Sequence, residues 1–201
     1  MAYPVIDGPY GLKPVNLIGG QVFAGATRQI PIASGDSVAI FNGDVVKLTT
    51  DGVVARDGAT TALNAGAVGV FLGCQYTDPS TGQVTNRQSY PGSITADDIV
   101  AYVADDPDQL YKVAVCSATT TIASLTRAEA VGSNIALIDN AGDANTGNSK
   151  VAVDEGTQAN TATLPMRIID VVEETKTTAG EYTEVVVKFN THTYNTALGL
   201  A

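Results

Sequence analysis

Residues Gly43 to Tyr76 read GDVVKLTTDGVVARDGATTALNAGAVGVFLGCQY. They hold three short β-branched runs, Val45–Leu48, Val53–Ala55 and Val68–Leu72, broken by Gly, Asp, Asn and Thr. Runs of that length bounded by turn formers read as strands. Asp51-Gly52 predicts a two-residue hairpin turn in which both central residues take positive φ. The stretch commits the chain to a mostly β architecture of short antiparallel strands.

The same pattern continues on both sides. Val38–Phe41 reads as a strand leading into a tight turn at Asn42-Gly43. Further strands are expected at Val70–Tyr76, Val84–Ser89, Ile99–Val103, Leu110–Cys116, Ile135–Ile138, Leu164–Val172 and Glu184–Phe189. In Leu110–Cys116 the alternation puts Tyr111, Val113 and Val115 on one face and Leu110, Lys112, Ala114 and Cys116 on the other. Glu173–Tyr182 reads as the long loop of a hairpin. One short helix is expected where Thr126-Arg127-Ala128-Glu129 has capping-box spacing and Gly132 stops it. Residues 139–163, rich in Asn, Gly, Ala, Thr and Asp, read as the most weakly structured part, around a short run Val151–Val153. No fixed-period repeat appears.

Residues 1–35 differ. Pro4, Pro9, Pro14 and Pro31 block a helix and withhold ladder donors. Apolar residues are scattered between them, too many for a solvated linker. The reading is an extended N-terminal docking arm, with a strand and loop packed on the chain's own core as the equal alternative. The core domain is expected over 36–190 and a C-terminal tail over 191–201.

Composition narrows the function classes. The 201 residues include 11 basic and 21 acidic ones, for a net charge of −10. Such a chain is repelled by phosphate backbones, so no nucleic-acid partner is expected. No run is long and apolar enough to span a bilayer, and the N-terminus lacks the pattern of a secretory signal. No membrane partner is expected. Cys74 and Cys116 lie in strand patterns and read as free, buried thiols of a protein made in a reducing cytoplasm.

Catalytic chemistry has little to work with. His192 is the only histidine, tryptophan is absent and the cysteines number two. There is no nucleophile elbow, and G-x-G-x-x-G and Walker spacings are missing. The acidic groups Asp97-Asp98, Asp105-Asp106 with Asp108, and Glu173-Glu174 read as turns and solvated faces. The loop Asp143–Asn148 with Asp154 faintly echoes a calcium loop, but its glycine falls one position early. No catalytic residue, metal or cofactor is expected. The basic residues are dispersed and make no patch.

Several segments resemble the capsid decoration, or cement, proteins of tailed phages. Tyr10-Gly11-Leu12-Lys13-Pro14-Val15 resembles the (F/Y)G(F/L)(R/K)PV opening of such virion proteins. Gly43-Asp44-Val45-Val46-Lys47-Leu48 through Val68-Gly69-Val70-Phe71-Leu72-Gly73 is similar to the β-tulip pattern of lambda-type decoration proteins. Asp105-Asp106-Pro107, Thr146-Gly147-Asn148-Ser149, Leu164-Pro165-Met166-Arg167-Ile168 and Val187-Lys188-Phe189-Asn190-Thr191-His192 resemble recurring segments of the same proteins. The chain is longer than a minimal member.

The resemblance implies a β-tulip or small antiparallel β-barrel or sandwich with one short helix. It implies no enzyme activity, a place on the outer capsid surface of a bacteriophage virion, and two partners: the major capsid protein and neighbouring copies of the chain, with a trimer expected and a dimer possible. Tyr10, Leu12, Pro14, Val15, Leu17 and Phe23 are the expected capsid contacts of the arm. Phe189, His192 and Tyr194 are those of the C-terminal end. Self-packing is the alternative for all nine. A head-fibre or glycan-binding host-recognition module is the alternative function.

Overall fold

The computed structural model describes residues 6–58, 67–175 and 182–195. The first five residues of the expected arm and the last six of the expected tail lie outside them. The chain is mostly β with one short helix. Strands β1 (Lys13–Leu17) and β2 (Arg28–Pro31) come from the N-terminal segment. There follow β3 (Val45–Leu48), β4 (Val54–Arg56), β5 (Ala67–Thr77), β6 (Val84–Arg87) and β7 (Val100–Ala104). The second half supplies β8 (Gln109–Ser117), β9 (Thr121–Ile122), α1 (Arg127–Ala130), β10 (Asn134–Ile138), β11 (Ala152–Ala159), β12 (Met166–Val172) and β13 (Glu184–Phe189).

The strands form two sheets. One runs β8-β11-β10-β12-β13 and closes on itself, because β13 also pairs with β8. Closure removes the sheet edges that invite aggregation. β1 joins this ring along the first half of β8, Lys13 opposite Lys112 and Leu17 opposite Gln109. The other sheet runs β2-β7-β5-β3-β4, with β6 on β5. A bridge from Ile32 to Val54 carries the end of β2 back to β4, so this sheet is also nearly closed. The single core expected over 36–190 is therefore two packed sheets. Residues 13–17 and 28–31 of the expected arm are strands within them.

Each sheet has its own apolar interior. Tyr111, Val113, Val115, Ile135, Val153, Ile168, Val185 and Val187 fill the first, with Leu12, Val45, Ala67 and Val70 joining from the neighbouring elements. Ile40, Val46, Val54, Phe71, Tyr90 and Val103 fill the second. The alternation in β8 falls as its sequence predicts. Tyr111, Val113 and Val115 enter the main core, while Ala114 and Cys116 face a smaller cluster with Tyr182. Each large apolar side chain buried this way contributes roughly 1.5–3 kcal/mol.

Several expectations meet a different outcome. The β3–β4 hairpin forms, with Val46 opposite Arg56. Its turn is not the two-residue type: only Gly52 takes positive φ (74°), and Gly52 N–H donates to Thr49 O at 3.0 Å. The longer loop lets Asp51 keep an ordinary backbone conformation and leaves the left-handed residue to glycine. Val38–Phe41 is not a strand; it holds one bridge, Ile40 to Tyr90. β11 is an eight-residue strand where weak structure was expected. It is ordered by partners on both sides, β10 antiparallel and β8 parallel at Val153–Asp154. Propensity yields to tertiary pairing there. The helix is a single turn, and Thr126 Oγ bonds to the Glu129 carboxylate instead of capping the backbone.

The two sheets are fastened where Gly11 and Gly43 cross. Leu12 N–H donates to Gly43 O at 3.0 Å, Gly43 N–H to Phe71 O at 2.8 Å, and Gly11 N–H to Val151 O at 3.1 Å. A Cβ on Gly11, whose φ is +80°, would lie 2.6 Å from Ser149 Cβ and 2.9 Å from the Gly43 backbone. Gly11→Ala therefore meets both a left-handed backbone and two contacts that cannot yield. It should lower stability by about 2 kcal/mol or more in urea unfolding. Gly19→Ala, with nothing within 4 Å of the added methyl, should stay within about 0.5 kcal/mol of the parent.

Candidate functional site

The passage from β1 to β2 creates a concave surface among the described residues. β1 ends in a tight hairpin: Leu17 N–H donates to Gln21 O at 2.8 Å and Phe23 N–H to Val15 O at 3.3 Å. The chain then runs in the open from Ala24 to Thr27 before Arg28 pairs with Val103 in β7. Facing this segment is the Asp105–Asp108 turn that links β7 to β8. Asp108 N–H donates to Asp106 Oδ1 at 2.8 Å and closes that turn. Two cavities lie between, one of about 500 Å³ and one of about 300 Å³. Ala26 and Asp106 line both, so the cavities adjoin, and together they make up the groove referred to below.

The larger cavity is charged. Arg28 Nε sits 2.7 Å from Asp105 Oδ2, and its guanidinium lies 5.1 Å from the Tyr194 ring centroid. Arg28 also donates to Tyr194 Oη at 3.3 Å. Burial raises the Tyr194 pKa, with Arg28 pulling it down and Asp105 pushing it further up. The smaller cavity is mixed: Leu17, Phe23, Ala104 and Val22, the last 74% exposed, line it together with Gln21, Gln109 and Asp106.

Behind Tyr194 an aromatic series leads into the core. Centroid separations are 5.2 Å from Tyr194 to His192, 6.1 Å from His192 to Phe189 and 5.3 Å from Phe189 to Tyr111. His192 is fully buried, and its Nδ1 accepts the Tyr194 N–H at 3.2 Å. Desolvation lowers its pKa below the ordinary value; the Val68 backbone and Asp105 and Asp106 oppose this, and Lys188 adds to it.

Of the nine sequence-predicted contacts, the groove gathers Leu17, Phe23 and Tyr194. The rest are elsewhere. Leu12, Phe189 and His192 are buried in the chain's own core and are not contact surface. Tyr10 donates to Glu184, which also holds Lys112 at 3.0 Å, and Lys13 lies 4.3 Å over the Tyr10 ring. Pro14 and Val15 are half-buried in β1. Sequence reasoning missed Arg28, Val22 and the Ala24–Thr27 segment. The available signal is the run of small residues Ala24–Thr27 opposite the Asp105-Asp106-Pro107 turn.

Other titratable groups are held by burial or by local hydrogen bonds. Burial pushes the Cys74 and Cys116 thiols up to about 11, far from a reactive thiolate. Asp98 accepts the Thr77 N–H at 3.0 Å and the Thr77 hydroxyl, which lowers its pKa. The Asp143–Asn148 loop folds on itself, with Gly147 N–H donating to Asp143 O at 2.8 Å. Among the described residues no group of three or more His, Cys, Asp or Glu is placed to hold a metal ion, and no helix is long and apolar enough to cross a membrane. Compared with family models, curated proteins and solved structures, the chain finds no match.

Because burial keeps His192 neutral, the unfolded chain binds more protons than the folded one between the depressed folded pKa and the ordinary value near 6.5. This contribution to stability is complete above that ordinary value and is lost as pH falls through the folded pKa. The urea midpoint should fall between about pH 7.5 and about pH 5.5. His192→Asn retains an acceptor for the Tyr194 N–H and should flatten that slope, as measured by unfolding at each pH.

Proposed function

We propose that this chain is a non-enzymatic virion structural protein, a decoration or cement protein. It binds the outer surface of the major capsid protein shell and reinforces it. The observation that carries the reading is the groove. It joins surfaces from the N-terminal segment and the C-terminal end, the two regions expected to reach a neighbour, and leaves Val22 and Tyr194 exposed in its lining. The resemblance of Tyr10–Val15 and of the β3–β5 region to phage decoration proteins supplies the partner. A net charge of −10 keeps free copies apart before they dock. The lone histidine is buried and the thiols are protonated, which favours adhesion over catalysis.

On a shell, a contact of modest affinity is repeated at every equivalent site. Each copy that also touches its neighbours gains through effective concentration. Contacts between copies of this chain, as a trimer or a dimer, belong to the same proposal.

A glycan-binding host-recognition role has one foothold, Tyr194 beside Asp105 and Asp106. Arg28 occupies one side of that ring, which reduces the aromatic platform a sugar needs.

Particles stripped of this protein should lose resistance to heat and osmotic shock and recover it on adding back the purified chain. Unchanged particle stability with and without bound protein would defeat the reinforcing role. Saturable binding to a glycan array, with no affinity for particles, would transfer the assignment to host recognition.

A further inference from the structure

The groove bears on the partner's chemistry, given the shell-binding reading above. Three observations meet there. The first is an unused backbone. The peptide groups of Ala24, Gly25, Ala26 and Thr27 make no hydrogen bond to any described residue, and all four residues are exposed. Exposed peptide groups beside a cleft are what extended segments use when they dock by backbone pairing. Gly25, at φ +78°, turns the segment, so the pairing is a few bonds and not a continuous ladder.

The second is an uncompensated charge. Arg28 is matched by Asp105, and Asp108 by Lys188 at 2.6 Å. Asp106 makes no ion pair among the described residues; its carboxylate closes the local turn through one oxygen, and the residue lines both cavities. The groove thus keeps one net negative charge where its two halves meet. The third is the apolar part of the smaller cavity, Leu17, Val22 and Phe23, which lies beside the polar Gln21 and Gln109.

We infer that the groove receives an extended segment of the shell's capsid protein that presents a lysine or arginine to Asp106 beside a small aliphatic side chain over Leu17, Val22 and Phe23. The cation takes the place between Asp106 and the Tyr194 side of the cleft, and the aliphatic group fills the smaller cavity. The peptide groups of the incoming segment bond to those of Ala24–Thr27. The cation fixes register, the aliphatic group supplies desolvated area, and the backbone bonds set the direction of the chain.

The test uses stripped particles and the full-length chain in a sedimentation binding assay, with three variants. Asp106→Asn removes the charge while keeping an acceptor for the Asp108 N–H. Val22→Ser removes exposed apolar surface from the rim. Val84→Ser, on the exposed strand β6, alters a comparable apolar residue (61% exposed) outside the groove. All three substituted residues are exposed, and thermal melts verify folding. Asp106→Asn and Val22→Ser should each weaken particle binding at least about five-fold, with Val84→Ser unchanged. Parent-like binding by either groove variant overturns the inference and leaves the shell reading standing. Loss of binding in Val84→Ser alone likewise overturns it. A parent protein that does not bind particles at all overturns the shell reading, and with it the partner named here.

Discussion

The crossing of Gly11 and Gly43 is the contact on which the rest of the arrangement depends. Two backbones meet there at a separation that admits no side chain. Leu12 N–H, Gly43 N–H and Gly11 N–H tie the N-terminal segment, the entry to β3 and the approach to β11 into one set of hydrogen bonds. Leu12 is thereby pressed into the main core with no exposed surface. Once that point is set, β1 must lie along β8, and the chain must leave the first sheet to begin the second at β2. The two sheets do not merely touch; the N-terminal segment is threaded through both.

The groove follows from that threading. A chain that finishes a strand in one sheet and starts a strand in another has to cover the distance without ladder partners. Ala24–Thr27 is this crossing. Its unpaired peptide groups would be costly if buried; at the surface they are hydrated, and they stay available to a partner. The β7–β8 turn makes the reverse passage between the same two sheets, so the Asp105–Asp108 loop and Ala24–Thr27 face each other by construction. Tyr194 arrives because β13 pairs with both β12 and β8, which brings the C-terminal end back over this junction. The groove and the topology are thus one feature.

Much of this was legible in the sequence, and the reasons differ by element. β3, β12 and β13 are dense in β-branched residues, and β5 and β8 are apolar runs bounded by turn formers, so local composition and pairing agree. The face of β8 that enters the main core was readable from strict alternation. β11 was not, because half of its residues are polar and its order comes from neighbours remote in sequence. The N-terminal segment shows the other kind of failure. Proline and glycine mark it as extended, but extended backbone serves equally for a free arm and for an edge strand. Only the register Lys13 to Lys112 and the burial of Leu12 distinguish the two. Of the proposed contacts, Leu17, Phe23 and Tyr194 reached the groove, while Phe189 and His192 were claimed by the core. Spacing near a terminus carries no information about which way an aromatic ring turns.

The buried polar groups explain why so little reactive chemistry reaches the surface. Asp44, fully buried, accepts from Phe41 N–H at 2.9 Å and from Arg56 Nε at 3.0 Å, and Arg56 also pairs with Asp139. Arg56 belongs to β4 and Asp139 follows β10, so the pair spans the two sheets. Burial raises the Asp139 pKa, Arg56 pulls it down, and Asp44 and Asp57 push it up. Tyr10, Glu184 and Lys112 make a similar joint between the N-terminal segment, β13 and β8. These pairs are only partly buried, with 19% of the Arg56 side chain and 35% of the Lys112 side chain exposed, and pairs of this kind add little net stability against an apolar replacement. The Arg56–Asp139 pair ties one sheet to the other, whereas Tyr10, Glu184 and Lys112 fasten the N-terminal segment within the first. The shell-binding role proposed above needs a surface held in place in this way. Affinity spread over many shallow contacts survives only if the contact surface is already in shape before docking, since each residue ordered on binding subtracts from a small total.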